Sequence, residues 1–247
     1  MRRIQLQQFM GRFGNQLIQY AVARALAEKF GAQLETPDWC GRRIFAGVNN
    51  PIIARRLPGL PAEALPDRPD VSCHGFWQFQ RAFDLLSRSK MRSWLRVREE
   101  WLLRCRKPRP FYIACHVRAG DYRQHPTKFA VVERESFEKA VLHYGYDLKD
   151  VIWLTEETPH PGSDRFPREF QFLNDFLIIQ QADVIFRSNS TFSQLAAILS
   201  NTDKLYSPMV GDLLGSQYEV PFIEGNHAAN LSMKYHNVEH TDMRLRD

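Results

Sequence analysis

Residues 111–122 read FYIACHVRAGDY, and this stretch decides the class of fold. Its first part, Phe111–Val117, is almost entirely apolar, as is typical of a strand buried on both faces of a parallel sheet. Polar residues then begin abruptly, with Arg118 followed by Gly120 and Asp121. A buried strand that ends in charged residues and glycine is typical of α/β proteins, whose ligands bind at the carboxyl ends of the strands.

Downstream of this stretch, short apolar runs alternate with segments of helical periodicity. The predicted strands and helices are, in chain order, Ser136–His143 (helix), Val151–Leu154 (strand), Leu173–Gln181 (helix), Val184–Phe186 (strand) and Phe192–Leu199 (helix). Strands that alternate with helices form parallel sheets. The sequence therefore predicts an α/β fold in which the loops after successive strands share one edge of a sheet.

Upstream, the same alternation appears once more. Ile4–Phe9 is a predicted strand, and Asn15–Phe30 is a predicted helix with Gly31 as its stop signal. The proline-rich residues 107–110 indicate a linker. We therefore expect a first domain over residues 1–108, a second over 109–225, and a peripheral tail over 226–247.

The net charge of +5 has a local origin. Between Arg81 and Arg109 the sequence holds ten basic and three acidic residues, so the rest of the chain is slightly acidic. This segment is partly helical in pattern, and its predicted inward stripe consists of Met91, Trp94, Leu95, Trp101 and Leu102. A solvated basic face, contact with an anionic membrane surface and phosphate-driven nucleic-acid binding are three readings of its arginines. The segment carries no helix-turn-helix, zinc-finger or RNA-binding signature, which disfavours nucleic acid.

Composition also bears on compartment and metals. No stretch of signal-peptide type and no run of 18 apolar residues occurs in the sequence. The four cysteines show no Cys-x-x-Cys spacing, which favours reduced thiols over a disulfide scaffold or a zinc site. We expect a cytoplasmic protein, with at most peripheral contact with the inner face of a membrane.

The first junction with unusual residues is the turn before the N-terminal helix, Gly11-Arg12-Phe13-Gly14-Asn15-Gln16. Glycines allow close approach of a ligand to the backbone, and the start of a helix offers unpaired N–H groups. The turn lacks the glycine spacing of a dinucleotide fingerprint and the lysine of a phosphate-binding loop. Anion binding and a simple tight turn with a solvated Arg12 both fit this pattern.

The second junction is the end of the predicted strand 111–117. Strand alternation places His116 and Arg118 on the same side. An arginine at a strand end, with glycine beside it, suits bidentate recognition of a phosphate. The alternative is an ion pair between Arg118 and Asp121 beside a hydrogen-bonded His116 in the core.

The third junction is Ser188-Asn189-Ser190-Thr191-Phe192-Ser193-Gln194. Thr191 and Gln194 have the spacing of a capping box, with Thr191 as the N-cap. The hydroxyl and amide residues exceed what a cap requires, and they would supply neutral donors to a diphosphate. Since the sequence contains no Asp-x-Asp, a diphosphate would be stabilised by arginine and helix N-termini, and no metal is expected.

Taken in this order, the three junctions resemble the α-1,2-fucosyltransferase family and the wider fucosyltransferase superfamily. Residues 11–21 resemble the family's Gly-x-x-Gly-Asn-Gln motif, and residues 74–78 (HGFWQ) resemble its Gly-Tyr-Trp-Gln segment. Residues 116–122 resemble its His-x-Arg-x-Gly-Asp-Tyr donor motif, and residues 175–199 resemble its Asp and Ser-Asn-Ser-Ser-Phe-Ser segment. The resemblance covers roughly residues 3–210.

The resemblance implies a GT-B-type fold, in which two Rossmann-like domains face a cleft. It also implies an inverting, metal-independent transfer of fucose from GDP-fucose to a glycan hydroxyl, of a galactoside in α-1,2 linkage. The acceptor glycan could be lipid-linked. The alternatives are a transferase for another GDP-sugar or linkage, an inactive sugar-nucleotide-binding protein, and a basic nucleic-acid-binding protein.

Carried over by position, the resemblance assigns roles to individual residues. Arg118 would bind the diphosphate and assist its departure, and it would act with Asp121 and Asn15 as the catalytic residues. The donor-binding residues would be Gly11, Arg12, Phe13, Gly14, His116, Glu156, Asp175, Ser188, Asn189, Ser190, Thr191, Phe192 and Ser193. The acceptor-side residues would be Trp77, Gln78 and His125, although the sequence favours burial in the core over acceptor stacking for Trp77.

The general base has several candidates, because an inverting transfer needs a group that accepts the proton of the acceptor hydroxyl. Asp121 is the first choice, with His125 and Glu133 as alternatives. Asp121 serves equally well as a residue that orients Arg118. The sequence also departs from the family's pattern, with Ala119 where a second arginine is common and Thr155-Glu156-Glu157 in place of Ser-Asp-Asp.

Overall fold

The structure is a computed structural model that describes residues 1–125, 129–156, 160–209, 215–217, 220 and 222–224. The chain divides into two units, residues 1–98 (the N-terminal unit) and the described residues from 99 onward (the C-terminal unit). The predicted domain boundary after residue 108 stays a prediction. The predicted tail, 226–247, lies outside the described residues.

The N-terminal unit is built on a small parallel sheet. Its strands are β1 (Arg3–Leu6), β2 (Gln33–Glu35) and β3 (Val71–Cys73), and its helices are α1 (Phe13–Lys29), α2 (Gly41–Ile44), α3 (Gln80–Phe83) and α4 (Arg88–Trp94). The strand order is β2-β1-β3, with all pairs parallel. The loops that follow β1 and β3 therefore leave the same edge of this sheet.

Helix α1 is rich in apolar residues and is buried on all sides in its middle part, where every residue from 17 to 23 is buried and Leu17, Ile18, Ala21 and Val22 have no exposed surface. It begins two residues before the predicted start and ends one residue before the predicted end, as helix boundaries commonly vary. The chain leaves the helix through Gly31 in a left-handed conformation, φ 56°. The prediction of this helix is confirmed.

The C-terminal unit carries a larger sheet between helices. Its helices are α5 (Glu99–Arg104), α6 (Gly120–Gln124), α7 (Arg134–His143), α8 (Phe172–Gln180) and α9 (Thr191–Leu199). Its strands are β4 (Ile113–Val117), β5 (Ala130–Val132), β6 (Val151–Thr155), β7 (Val184–Phe186), β8 (Leu205–Pro208), β9 (Gly215–Gln217) and β10 (Phe222–Glu224). The main sheet has the order β10-β8-β7-β4-β6, in which β10 is the antiparallel strand. Strands β5 and β9 form a separate parallel pair.

Strand β4 is an interior strand of the main sheet, between β7 and β6, and all of its residues are buried. Ile113, Cys115 and Val117 belong to one apolar cluster with Phe137 of α7. His116 is directed to the other face, where its ring lies 5.5 Å from the ring of Phe192 in α9. The prediction of a strand buried on both faces is confirmed.

The basic segment between Arg81 and Arg109 contains the short helices α3, α4 and α5 rather than a continuous amphipathic helix. Ser87 caps α4 by accepting a hydrogen bond from the N–H of Lys90 at 3.4 Å. Trp94 and Trp101 are buried as predicted, whereas Leu102 is 39% exposed and its assignment to the inward stripe was wrong. Seven of the ten basic side chains are exposed, and the other three are half-buried.

The four cysteines are free thiols. Burial raises the pKa of Cys73 to about 12 and that of Cys105 to about 11, so both stay protonated at neutral pH. Among the described residues, no helix is long and apolar enough to cross a membrane.

Candidate functional site

The C-terminal unit brings three loops to the carboxyl edge of its main sheet. β4 pairs with β6 on one side and with β7 on the other, and the pair Val117–Thr155 marks the ends of β4 and β6. Arg118–Asp121 follows β4, Glu156 follows β6, and Ser188–Ser193 (the serine loop) leads from β7 into α9. Parallel pairing therefore assembles residues that are far apart in the sequence.

Arg118 is the centre of this edge. Its side chain is 11% exposed, and its Nη2 lies 2.7 Å from a carboxylate oxygen of Asp121. Its Nη1 contacts Glu156, and its guanidinium lies over the ring of Tyr122, 5.3 Å from the centroid. The ion pair with Asp121 was one of the two alternatives for this arginine, and the structure contains it. Glu156, which the resemblance implies to be near the nucleoside, contacts Arg118 in this structure.

Gly120 makes room for the Glu156 carboxylate. A Cβ atom at residue 120 would lie 2.9 Å from Oε2 of Glu156, which is closer than packed atoms normally approach. The backbone of Gly120 does not adopt a positive φ, so the requirement for glycine here is one of space. Any larger residue would displace the end of the Glu156 side chain.

His116 connects β4 to the serine loop. Its Nδ1 lies 2.9 Å from Oγ of Ser188, and Oγ of Ser188 lies 3.2 Å from Oγ of Ser193. Burial, together with the nearby Arg118, lowers the pKa of His116 to about 3. His116 is therefore neutral at physiological pH, and it orients the loop rather than supplying a charge.

The serine loop is held largely by its own side chains. Ser188 and Ser193 have no exposed surface, and Oγ of Ser193 also donates to the Ser190 carbonyl at 3.2 Å. Asn189 donates from Nδ2 to the Ala130 carbonyl at 2.9 Å. The loop thus has one fixed shape, with the beginning of α9 and the half-buried Thr191 on its accessible side.

The capping prediction for α9 was wrong by one residue. Ser190, not Thr191, is the N-cap, and its Oγ accepts from the N–H of Phe192 at 3.3 Å. Ser190 has the extended backbone of an N-cap, whereas Thr191 is already helical. Ser188, Ser190 and Thr191 could each cap a helix, and the local sequence does not determine which of them is the N-cap.

Asp175 lies on the first turn of α8. Burial raises its pKa to about 6, and a hydrogen bond from the backbone of His160 opposes the shift. The neighbouring Phe176 packs edge-on against Phe192 of α9, with ring centroids 5.4 Å apart. The first turn of α8 therefore borders the serine loop.

The remaining candidate bases are His125, directly after the last residue of α6, and Glu133, directly after β5. His125 is exposed at the end of this helix. Glu133 is buried and pairs with Arg123, whose Nη2 lies 2.6 Å from the Glu133 carboxylate.

The N-terminal unit has its own loop cluster, at the carboxyl edge of its small sheet. Gly11 has a φ of 68°, and a Cβ there would lie 2.3 Å from Nδ2 of Asn15. Arg12 is exposed at the N-cap position of α1, while Phe13 and Gly14 are buried. The glycine is therefore needed both for its backbone conformation and for the space that Asn15 occupies.

Gln78 joins the two loops of this cluster. Its Nε2 donates to Oδ1 of Asn15 at 2.8 Å. Trp77 is fully buried, so in this conformation it packs in the core, as the sequence favoured. Its backbone has a φ of 49°. The Glu63 carboxylate fixes the turn by accepting from the N–H groups of Phe76 and Trp77 at 2.7 and 2.9 Å.

Sequence reasoning missed two residues of these clusters. Glu63 lies in a proline-rich stretch with no periodicity, so nothing local marks it. Arg187, at the end of β7, is 1% exposed and donates to the Ser188 carbonyl and to Oγ of Ser207. Arg187 could have been recognised from the sequence, because it is a charged residue directly between the apolar run 184–186 and Ser188.

The described residues contain no group of three or more His, Cys, Asp or Glu side chains placed to hold a metal ion.

Comparison with solved structures finds similar folds. NodZ α-1,6-fucosyltransferase, in crystals soaked with GDP-fucose, matches with a TM-score of 0.58 and 14% identity over 91% of this chain and 99% of that chain. NodZ co-crystallized with GDP matches with a TM-score of 0.55 and 14% identity over 91% and 98% of the two chains. Fucosyltransferase NodZ from Bradyrhizobium matches with a TM-score of 0.55 and 14% identity over 91% and 99%.

No protein-family model matches the sequence, and no curated protein sequence matches it either. At 14% identity the structural likeness establishes a shared fold. The expected α/β fold with parallel sheets is confirmed, and the chain shares its fold with NodZ.

Proposed function

We propose that this chain is an inverting glycosyltransferase that transfers fucose from GDP-fucose to a hydroxyl group of a glycan. The observation that carries the proposal is the meeting of Arg118, the serine loop and the start of α9 at one edge of a parallel sheet. This arrangement supplies a guanidinium and a fixed loop where a diphosphate would leave. The shared fold with NodZ, whose crystals were soaked with GDP-fucose, supports the same donor.

In the proposed reaction the acceptor oxygen attacks the anomeric carbon of fucose, and the bond from that carbon to the diphosphate oxygen breaks. GDP departs with the electron pair, and the proton of the acceptor hydroxyl passes to a base. Arg118 would neutralise the charge that develops on the diphosphate. No metal ion is required in this proposal, because the arginine and the helix start take that role.

For the base we retain Asp121, with His125 and Glu133 as alternatives. The contact of Asp121 with Arg118 at 2.7 Å favours an orienting role over proton transfer. Once Arg118 engages a diphosphate, the Asp121 carboxylate would share this partner with the ligand. Variants of these three residues, compared by the pH dependence of turnover, separate the candidates.

The acceptor and linkage rest on the resemblance alone. A galactoside acceptor in α-1,2 linkage is proposed, with Gln78 and His125 on the acceptor side and Asn15 among the catalytic residues; the buried Trp77 does not contact the acceptor in this conformation. The structurally similar NodZ is an α-1,6-fucosyltransferase, so a screen has to include both linkages.

Calorimetry with GDP, with and without EDTA, tests the donor. We expect GDP to bind equally well in both conditions. Absence of binding, or binding only with added metal, would contradict the proposal. GDP binding without transfer to any acceptor or water would instead favour a sugar-nucleotide-binding protein.

Transfer and donor hydrolysis should then be screened across GDP-sugars and galactoside acceptors. We expect GDP-fucose to give the highest rate, with α-linked fucose in the product. A higher rate with another GDP-sugar would keep the reaction class and change the donor.

A further inference from the structure

Arg187 is a buried cation directly beneath the serine loop. Its side chain is 1% exposed at the end of β7. Nε donates to Oγ of Ser207 at 2.8 Å, and Nη1 donates to the Ser188 carbonyl at 2.9 Å. The guanidinium is therefore held between β8 and the first residue of the loop.

The hydrogen bond to Ser188 fixes more than one residue. Ser188 bonds His116 at 2.9 Å and Ser193 at 3.2 Å through the same Oγ. By holding the Ser188 carbonyl, Arg187 sets the orientation of the peptide from which this network begins. The shape of the loop thus depends on a charged group that does not reach the surface.

Arg118 approaches an aromatic side chain that also borders the serine loop. The Arg118 guanidinium lies 5.3 Å from the centroid of the Tyr122 ring. The Tyr122 hydroxyl lies 3.5 Å from the Asn189 carbonyl of the serine loop. Arg118 therefore lies beside the serine loop, and the buried Arg187 lies beneath it.

A guanidinium loses its hydration when it is buried, which destabilises its charged form. Burial lowers the pKa of Arg187 to about 10, and the residue remains cationic at neutral pH. A charge in a low-dielectric interior acts more strongly on a nearby anion than the same charge at the surface. A buried cation below an anion-binding loop would therefore strengthen the binding of a polyanion.

We infer that Arg187 is a positioning residue that shapes the serine loop and supplies a second positive charge to the diphosphate of the nucleotide. This inference rests on the proposed function, since a diphosphate at the loop is part of that proposal. It predicts that the contribution of Arg187 grows with the number of phosphates on the ligand.

The test is a calorimetric series with guanosine, GMP and GDP on the full chain and on Arg187→Met and Arg187→Lys. We expect Arg187→Met to weaken GDP binding by about tenfold, GMP binding by less, and guanosine binding by less than about twofold. Arg187→Lys keeps the charge and loses the planar fork, so it should recover part of the GDP affinity.

Arg98→Met is the matched control. Arg98 is a half-buried arginine of the N-terminal unit that donates from Nη2 to the Arg42 carbonyl at 3.2 Å. It should lose thermal stability without any change in GDP affinity. This separates the loss of an arginine hydrogen bond from the loss of the charge below the loop.

Equal losses for guanosine and GDP in Arg187→Met would overturn the inference, because a purely structural residue acts on every ligand. So would unchanged GDP affinity in the folded variant. If Arg187→Met does not fold, Arg187→Lys decides: GDP affinity reduced more than guanosine affinity supports the inference, and parallel losses overturn it. Failure of the unaltered chain to bind GDP would instead contradict the proposed function.

Discussion

The two loop clusters of this chain share one architecture and differ in chemistry. Each lies at the carboxyl edge of a parallel sheet, after strands that pair side by side. In the N-terminal unit the central contact joins two neutral amides, Gln78 and Asn15. In the C-terminal unit the central contacts join charges, Arg118 with Asp121 and Glu156.

The difference shows which cluster can respond to a charged ligand. Neutral amide contacts fix a shape, and they depend little on salt or pH. Ion pairs of partly buried groups change strength when another anion arrives, because the new anion competes for the same guanidinium. We therefore expect the C-terminal cluster to govern binding and departure of the nucleotide, and the N-terminal cluster to govern positioning.

The largest expected effect comes from Arg118→Ala. Removal of one preorganised donor to a developing charge costs about 3 kcal/mol of transition-state stabilisation, or about a hundredfold in rate. Turnover should fall at least that far in a variant that is still folded, although the unpaired Asp121 and Glu156 carboxylates will lower its melting temperature. Arg96→Ala, an exposed arginine of the N-terminal unit, is the control and should keep full turnover. Unchanged turnover in Arg118→Ala would remove Arg118 from the mechanism.

A smaller effect is expected from the buried carboxyl group of Asp175. Its pKa in the folded protein is about 6, above the ordinary value of 3.8. The folded state therefore binds this proton more tightly than the unfolded state, and stability falls as pH rises through that interval. Asp175→Asn cannot ionise, so it should remove this loss and stabilise the protein at pH 7 by about 2 kcal/mol.

Urea unfolding at pH 4, 5, 6 and 7 measures the Asp175 effect. The free energies of the variant and the unaltered chain should diverge as pH rises. A constant difference over this range would show that Asp175 is ionised at no unusual cost. Asp175 would then not count among the charged groups that distinguish the C-terminal cluster from the N-terminal cluster.

The amide pair of the N-terminal unit should give a still smaller effect. One neutral hydrogen bond contributes about 1 kcal/mol. Asn15→Ala and Gln78→Ala should each lower kcat/KM by roughly fivefold, and the double variant should be no worse than the poorer single variant, since both remove the same contact. GDP affinity should stay the same in all three. Loss of GDP affinity would mean that this cluster also binds the nucleotide phosphates.

No effect on the nucleotide is expected from the exposed basic residues of the N-terminal unit. Arg81, Arg92 and Arg96 are all exposed on or beside the short helices α3 and α4. Replacing the three by Gln should leave the calorimetric affinity for GDP unchanged at moderate salt. A weaker affinity would place the nucleotide near this segment instead of at the edge of the main sheet.

Local patterns were sufficient for the regular elements. The helix predicted over Asn15–Phe30 is α1 within two residues, and Val184–Phe186 is β7 as predicted. Both succeeded because periodicity and apolar runs record which side chains become buried. Leu102 failed because its helix, α5, is only six residues long and the stripe does not continue through it.

Contacts within the site were less predictable. Glu156 was expected near a nucleoside, and it contacts Arg118 because β6 is the neighbour of β4. Nothing in residues 151–156 by themselves specifies that neighbour. Ser188 and Ser193 belong to the loop that is proposed to hold the diphosphate, and the sequence did not indicate that they are buried against each other and against His116.

The sequence by itself determined where strands end and which polar residues follow them. It placed Arg118 after a buried strand and the serine loop before a helix, because burial and capping are local preferences. Only the tertiary structure decided which loops meet. The order β7-β4-β6 brought Arg118, Glu156 and Ser188 to one edge and put the charge of Arg187 below them. Strand neighbours are selected by the packing of the whole sheet, and no single segment carries that information.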